Sequence, residues 1–253
     1  MTLQSRDLAW DGCLNVRDLG GHRTSDGGET RYGAVVRADS IRLLSDSGWQ
    51  ALVDYGVRTA IDLRGDHERL DDPPADIPID VRHVPFMEAD EREWDELGPQ
   101  FEAVARAAPD VTGATRDVYL IFLERFKENV AAGIRAVARA PRGAVVFHCV
   151  GGKDRTGLLA ALLLHLAGVD LEQIAADYAL SEDRLRPRHE ASLGGATSDE
   201  ERERLERISR TPATALVGVF EELERRYGSV DAYLRAAGLD DDELELARRR
   251  LRD

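Results

Sequence analysis

A mixed, largely parallel central sheet flanked by helices is the α/β architecture this sequence predicts, and three observations predict it. Short runs of strand length recur at residues 34–38, 57–63, 79–85 and 144–147, most of them rich in Val, Ile and Ala. Helical patterns lie between most of them, the alternation expected of parallel strands joined by crossovers. Finally, the strand at 144–147 runs into a Gly-rich loop and then an apolar helix over 158–167. Open α/β sheets bind ligands at such strand carboxyl ends.

Taken in order, residues 1–32 read as irregular, with Asp26-Gly27-Gly28 a turn. After the strand at 34–38, Ser45 caps a helix running to Tyr55, with Gly56 as its terminator. The strand at 57–63 follows. Asp71-Asp72-Pro73-Pro74 and Pro78 mark a loop, and 79–85 alternates as another strand. Residues 88–139 read as mostly helical. An acidic piece over 88–96, anchored by Trp94, is separated by Asp110, Thr112 and Gly113 from one long helix over 114–140. Val118, Ile121, Phe122, Arg125 and Phe126 fall at helical spacing in it and predict a core-facing stripe. Pro141 and Gly143 end it. Past the apolar helix, Asp170 with Gln173 reads as a capping box. Arg184, Arg186 and Arg188, interrupted by Pro187, are expected to pair with Glu182, Asp183 and Glu190 rather than line a site. Gly194-Gly195 reads as a link, 198–210 as a solvated helix, and three short helices follow, split at Gly228 and Gly238. Residues 1–253 read as one domain, with a segment at about 88–117 and the helices at about 196–253 expected to act as lids.

The 253 residues are 43% hydrophobic, enough for a sizeable core. A net charge of −14 argues against a nucleic-acid partner. It does not oppose a phosphorylated ligand, because a local cationic pocket can work against the global field. No run approaches the roughly 20 apolar residues of a membrane span, and no basic region followed by an apolar core is visible at the start. Two cysteines fit a reducing compartment, so a cytoplasmic location is expected, with signal-less export left open. Cys13 reads as a bystander in preference to a redox partner of Cys149.

Chemistry concentrates in His148-Cys149-Val150-Gly151-Gly152-Lys153-Asp154-Arg155-Thr156-Gly157. A loop between a strand and a helix N-terminus can point its N–H groups at one centre, where the helix adds roughly half a positive charge. Val150, Gly151, Gly152, Lys153, Asp154, Arg155 and Thr156 form the expected phosphate cradle, with Gly151, Gly152 and Gly157 permitting its turns. Cys149 at its lip is the candidate nucleophile, since a site that holds an anion also favours a thiolate. Arg155 can clamp two oxygens of a tetrahedral anion in a planar fork. Thr156 is placed to steady the departing sulfur, and His148 to brace the loop. An alkoxide or phenoxide leaving group needs a general acid. Asp154 is the first candidate and Asp62 the second, while Asp154 reads equally as a helix cap. Lys153 adds a cation suited to a highly charged ligand. Arg64 reads as a partner for a neighbouring carboxylate. Arg17 and Asp18 either pair internally or face the site. No metal and no cofactor are implied, so activity is expected to survive excess chelator.

This string resembles the Cys-x5-Arg-Ser/Thr signature of the cysteine-dependent phosphatases. The fuller His-Cys-x-x-Gly-Lys-Asp-Arg-Thr-Gly is similar to a branch of bacterial and fungal tyrosine phosphatase-like proteins. Asn15-Val16-Arg17-Asp18-Leu19-Gly20-Gly21, the strand ending Ile61-Asp62-Leu63-Arg64, and Ile174-Ala175-Ala176-Asp177-Tyr178-Ala179-Leu180-Ser181 also resemble that branch. The resemblance implies a tyrosine phosphatase-like fold and two-step hydrolysis through phosphocysteine, releasing inorganic phosphate. Its implied substrates are phosphorylated protein (phosphotyrosine, extending to phosphoserine and phosphothreonine) or a phosphoinositide, and it associates a loop lysine with phosphoinositides. Other tyrosine phosphatases take their acid from a Trp-Pro-Asp loop. Here none of Trp10, Trp49 and Trp94 is followed by Pro-Asp, so the acid has to come from elsewhere.

Rival readings fare less well. A nucleotide-binding P-loop needs glycine at Phe147 and Ser or Thr at Asp154. A structural zinc site lacks sulfur ligands, because Cys13 is the only other cysteine. Two alternatives remain open: a phospholigand-binding protein with weak activity, and a thiol sulfurtransferase, whose loop usually lacks the Arg-Thr pair.

Overall fold

The computed structural model describes residues 5–70, 72 and 78–253. Its central strand is β5 (Ala144–His148), buried along its whole length. Such a run, apolar on both faces, belongs in the middle of a parallel sheet. It lies between β2 (Val35–Ala38) and β3 (Val57–Asp62), parallel to both. β4 (Asp80–His83) extends the sheet in parallel beyond β3, and β1 (Arg17–Asp18) closes the other edge antiparallel to β2. The order is β1-β2-β5-β3-β4. β1 falls within the region expected to be irregular; two residues are too few for a periodicity to show.

Alternate side chains serve two cores. Val35, Ile61, Val145 and Phe147 face a large one, whereas Val36, Ala60, Ala144 and Val146 face a smaller one with Trp10, Ile41 and Leu52. The smaller face is closed by α1 (Asp46–Asp54) and the segment around Trp10. Ser45 caps α1 as expected, its hydroxyl accepting from Gly48 N at 3.2 Å. The larger face carries α3 (Val111–Arg125), α4 (Lys127–Ala138), α5 (Arg155–Leu166), α6 (Leu171–Arg184), α9 (Ala213–Tyr227), α10 (Val230–Ala236) and α11 (Asp241–Arg252). α5 is apolar nearly all round and correspondingly central. α2 (Glu91–Ala107), α7 (Arg186–Gly194) and α8 (Asp199–Ser209) lie outside this core.

Several local expectations gave way to tertiary contacts. The helix expected over 114–140 is two helices, divided at Phe126 with φ −116° and ψ 29°. Phe126 is buried, and its ring packs 6.1 Å from that of Trp94. Asp110 lies between α2 and α3 and caps α3, its carboxylate accepting from Gly113 N at 2.8 Å, while Thr112 and Gly113 already belong to α3. Asp170 forms no capping box. Gln173 instead bonds the backbone N–H and C=O of Arg23, each at 3.2 Å. Gly194 ends α7 rather than forming a free link. Of the partners expected for the basic cluster, only Asp183 takes one, Arg186. Arg184 pairs with Asp7 and Arg188 with Asp39, while Glu182 binds Arg210 at 3.0 Å. Asp71, Pro73 and Pro74 of the expected loop, and the first four residues, lie outside the described residues. No helix among the described residues is long and apolar enough to cross a membrane.

Candidate active site

β5 ends at His148 and α5 begins at Arg155, so the chain reverses its course over the six residues between. Cys149 sits at the carboxyl end of the central strand and is 3% exposed. Three carbonyls of the loop are held from outside. Val150 O accepts from Ser40 N at 3.0 Å and from Arg188 Nη1 at 3.3 Å. Gly151 O accepts from Asn15 Nδ2 at 3.1 Å. Gly152 O accepts from the same amide at 3.0 Å and from Arg37 Nη2 at 2.8 Å. A trans peptide sets its N–H opposite its C=O. These contacts therefore aim the N–H groups of Gly151, Gly152 and Lys153 away from their holders, and among the described residues none of the three donates to a protein acceptor. Donors fixed in this way, beside a helix N-terminus, have the geometry of an anion-binding nest.

The three loop glycines, expected to serve the turn alike, have different reasons. Only Gly152 takes a left-handed φ, +64°, and a Cβ on it would lie 2.5 Å from Ala38 O. Gly157 is held by packing, with the Tyr178 ring 3.0 Å from a Cβ placed there. At Gly151 the nearest atom to such a Cβ is 3.9 Å away, so a side chain has room.

Beneath the loop lies a buried ionic scaffold. Asp177 accepts from Arg17 Nε at 2.9 Å and from Arg37 Nη1 at 2.8 Å. Arg17 Nη1 also donates to Asn15 Oδ1 at 2.6 Å, orienting the amide that grips the loop. Burial, reinforced by Arg37, lowers the Arg17 guanidinium to about 9. Burial alone would raise the Asp177 carboxyl, but Arg17 and Arg37 overcome it and hold the group well below the usual range. Two guanidiniums against one carboxylate leave an excess of positive charge behind the nest. Asp18 turns elsewhere, accepting from Gly20 N at 2.6 Å and Gly33 N at 2.7 Å. Arg17 and Asp18 are thus both engaged internally.

Arg155, the first residue of α5, directs Nη1 and Nη2 at the two carboxylate oxygens of Glu68, the second contact at 2.7 Å. Glu68 belongs to a 3₁₀ turn (Asp66–Arg69) just after β3, fixed by Arg64 Nη1 on its carbonyl at 3.2 Å. Arg64 also binds Asp62 and Asp72, as its structural reading requires. Asp62 is nearly buried. Desolvation would raise its pKa, but the bonds from Arg64 hold it below the usual range. His148 is kept neutral by burial, with Nδ1 3.2 Å from Cys149 O.

Asp154 occupies the N-cap position of α5, yet its side chain makes no cap. Its Oδ1 accepts from Tyr119 OH at 2.5 Å and lies 3.5 Å from Lys153 Nζ. Lys153 also donates to the carbonyl of Ile208 on α8. The Thr156 hydroxyl is fully buried with no hydrogen-bond partner among the described residues. Both cysteines are free. Cys13 donates to Ser40 O at 3.4 Å, and burial together with Asp39 raises its pKa.

The Lys153, Asp154 and Arg155 end of the loop borders a cavity of about 660 Å³. Lys153, Asp154, Arg155 and Glu68 line its polar end, and Met87, Trp94, Val118, Phe122 and Ile208 an apolar wall. Arg207 and Arg210 border it from the α8 side. Sequence reading brought together Cys149, Asp154, Arg155 and Thr156 because they are neighbours in the chain. It did not reach Glu68, Arg37 or Tyr119, and it cited Asn15 and Asp177 only as parts of resembling segments.

The family model described as "Tyrosine phosphatase family" matches residues 8–253. A tyrosine-protein phosphatase of Nostoc commune is 30% identical over 86% of this chain and 74% of its own length. The triple specificity protein phosphatase PtpB of Mycobacterium tuberculosis is 27% identical over 90% of this chain and 92% of its own. With its nest, loop cysteine and arginine at the end of the central strand, the chain belongs to the tyrosine phosphatase family and is a phosphoric monoester hydrolase.

Proposed function

We propose that this phosphatase works through a phosphocysteine intermediate on Cys149. The observation that carries the reading is the outward capture of the carbonyls of residues 150–152, which turns three amides into a fixed oxyanion receptor beside Cys149 and Arg155. The thiolate attacks phosphorus as the P–O bond to the leaving group breaks. The proton of Asp154 passes to the departing oxygen. The ionised Asp154 then takes a proton from water, whose oxygen attacks phosphorus. The S–P bond breaks, inorganic phosphate forms, and the thiolate is restored. The unpaired Thr156 hydroxyl supports a donor role toward that departing sulfur. Arg155 and the amides hold the equatorial oxygens in a geometry that costs no reorganisation during the reaction. Asp62 supports the loop instead of supplying a proton, since its partners favour the ionised form.

Phosphotyrosine is the substrate best matched to an apolar wall facing a cationic end. Phosphoinositides are the second substrate, supported by Lys153 and Arg207 at the same cavity, and phosphoserine and phosphothreonine follow as shorter side chains. α2 and α8 serve as the lids, whereas α9, α10 and α11, also expected in that role, are packed into the larger core. Cys149→Ser is expected to abolish turnover of p-nitrophenyl phosphate, while rapid acid quench of the wild type traps a phosphoryl adduct on Cys149 by mass spectrometry. Turnover surviving the substitution refutes the scheme. A panel of phosphopeptides and phosphoinositides on the wild type ranks the substrates.

A further inference from the structure

We infer that Tyr119 is a positioning residue, which determines that Oδ2 of Asp154 carries the proton delivered to the leaving group. The inference rests on Asp154 as the general acid.

The Asp154 carboxyl has two inequivalent oxygens. Oδ1 receives the Tyr119 hydroxyl at 2.5 Å and faces Lys153 Nζ at 3.5 Å. A hydroxyl donated to this oxygen and an ammonium beside it both disfavour a proton there. Among the described residues no donor is directed at Oδ2. A neutral Asp154 therefore carries its hydrogen on Oδ2, and both Asp154 and Tyr119 line the substrate cavity.

Tyr119 is equipped to hold that arrangement. Its side chain is 2% exposed, on α3, and its oxygen lies 2.9 Å from the Tyr178 hydroxyl. A phenol has one proton. If Tyr119 spends it on Asp154, Tyr178 must be the donor in the second bond. The chain of donation thus runs one way, from Tyr178 through Tyr119 to Asp154 Oδ1. The two rings pack edge to face at 6.1 Å, and Tyr178 also abuts Gly157 of α5, so the catalytic helix and the tyrosine pair are located together. Burial, with the nearby Asp154 charge, raises the Tyr119 phenol well above its ordinary value. It stays protonated and does not compete as an acid.

The test compares Asp154→Asn and Tyr119→Phe on two substrates. Phenyl phosphate needs its leaving group protonated, whereas p-nitrophenyl phosphate needs this far less. Asp154→Asn is expected to lose on the order of 10²-fold in kcat/KM on phenyl phosphate, and much less on the nitrophenyl ester. Tyr119→Phe, which keeps the ring, is expected to lose about tenfold on phenyl phosphate with the nitrophenyl ester nearly unaffected. The ratio of the losses on the two esters does not depend on how much protein is folded. Equal losses on both esters for Tyr119→Phe overturn the inference while leaving Asp154 as the acid. If Asp154→Asn itself shows no leaving-group dependence, the acid assignment falls as well.

Discussion

Arg155 meets a carboxylate before it meets any substrate. Glu68 takes Nη1 and Nη2 together, which sets the plane of the guanidinium. A lysine cannot present that plane. Arg155→Lys is therefore expected to cost about 2–4 kcal/mol of transition-state stabilisation, read as kcat on p-nitrophenyl phosphate. His22 makes a second prediction. Burial first, and the neighbouring Arg6 next, lower its pKa to about 4 from an ordinary 6.5. The unfolded chain therefore binds a proton that the folded one refuses, and stability falls as pH drops from about 6.5 to about 4. Arg17, Arg37 and Asp177 share this environment. His22→Gln removes this component, so melting temperature followed against pH should show a shallower decline over that interval. An unchanged decline contradicts the assignment.

The strand–loop–helix element is held in shape by parts of the chain remote in sequence. Asn15 and Arg37 grip carbonyls more than a hundred positions away. Asp177, on α6, pairs with both arginines behind this grip inside the core. Removing one partner of a buried ionic group strands the others at a cost on the order of 3–5 kcal/mol. Asp177→Asn should lower the melting temperature accordingly. Asp177 adds a pH trend of the same sign as that of His22, in a more acidic range. Its folded pKa is depressed, so its stabilisation is present above the unfolded value of 3.8 and is lost as pH falls below it. Gly152→Ala tests the loop directly. The left-handed φ and the 2.5 Å approach to Ala38 O leave a methyl group no place. Loss of phosphate-ester turnover together with lowered stability is expected, whereas Gly151→Ala, with open space at that Cβ, should fold normally.

At the scale of the molecule, the site is a junction. The sheet supplies Cys149, the turn after β3 supplies Glu68, and α2, α3 and α8 wall the cavity. Trp94 of α2 belongs to that wall and also packs on Phe126 at the α3–α4 break. Trp94→Ala is expected to raise KM for a phosphotyrosine peptide by about tenfold, roughly the value of one aromatic contact, with kcat little changed. A fall in kcat alone contradicts the wall as a binding surface. The acidic chain, at −14 overall, concentrates Lys153, Arg155, Arg207 and Arg210 around this one opening.

By itself the sequence determined what is local. The β-branched run at β5, the glycines after it and the apolar α5 set strand, loop and helix in order, and the spacing of Cys149 and Arg155 follows from that order alone. Helix starts written in single side chains, such as Ser45, were legible for the same reason. Tertiary structure decided what surrounds and shapes the loop: the outward carbonyls, the carboxylate of Glu68, the paired arginines on Asp177 and the hydroxyl of Tyr119. It also decided where local signals were overruled, as when Gln173 left its helix end for Arg23 and when Phe126 interrupted a periodic helix. The reason is physical. A hydrogen bond between residues far apart in the chain leaves no periodicity and no spacing behind, and it exists only once the packed core has brought its partners within three ångströms or so of each other.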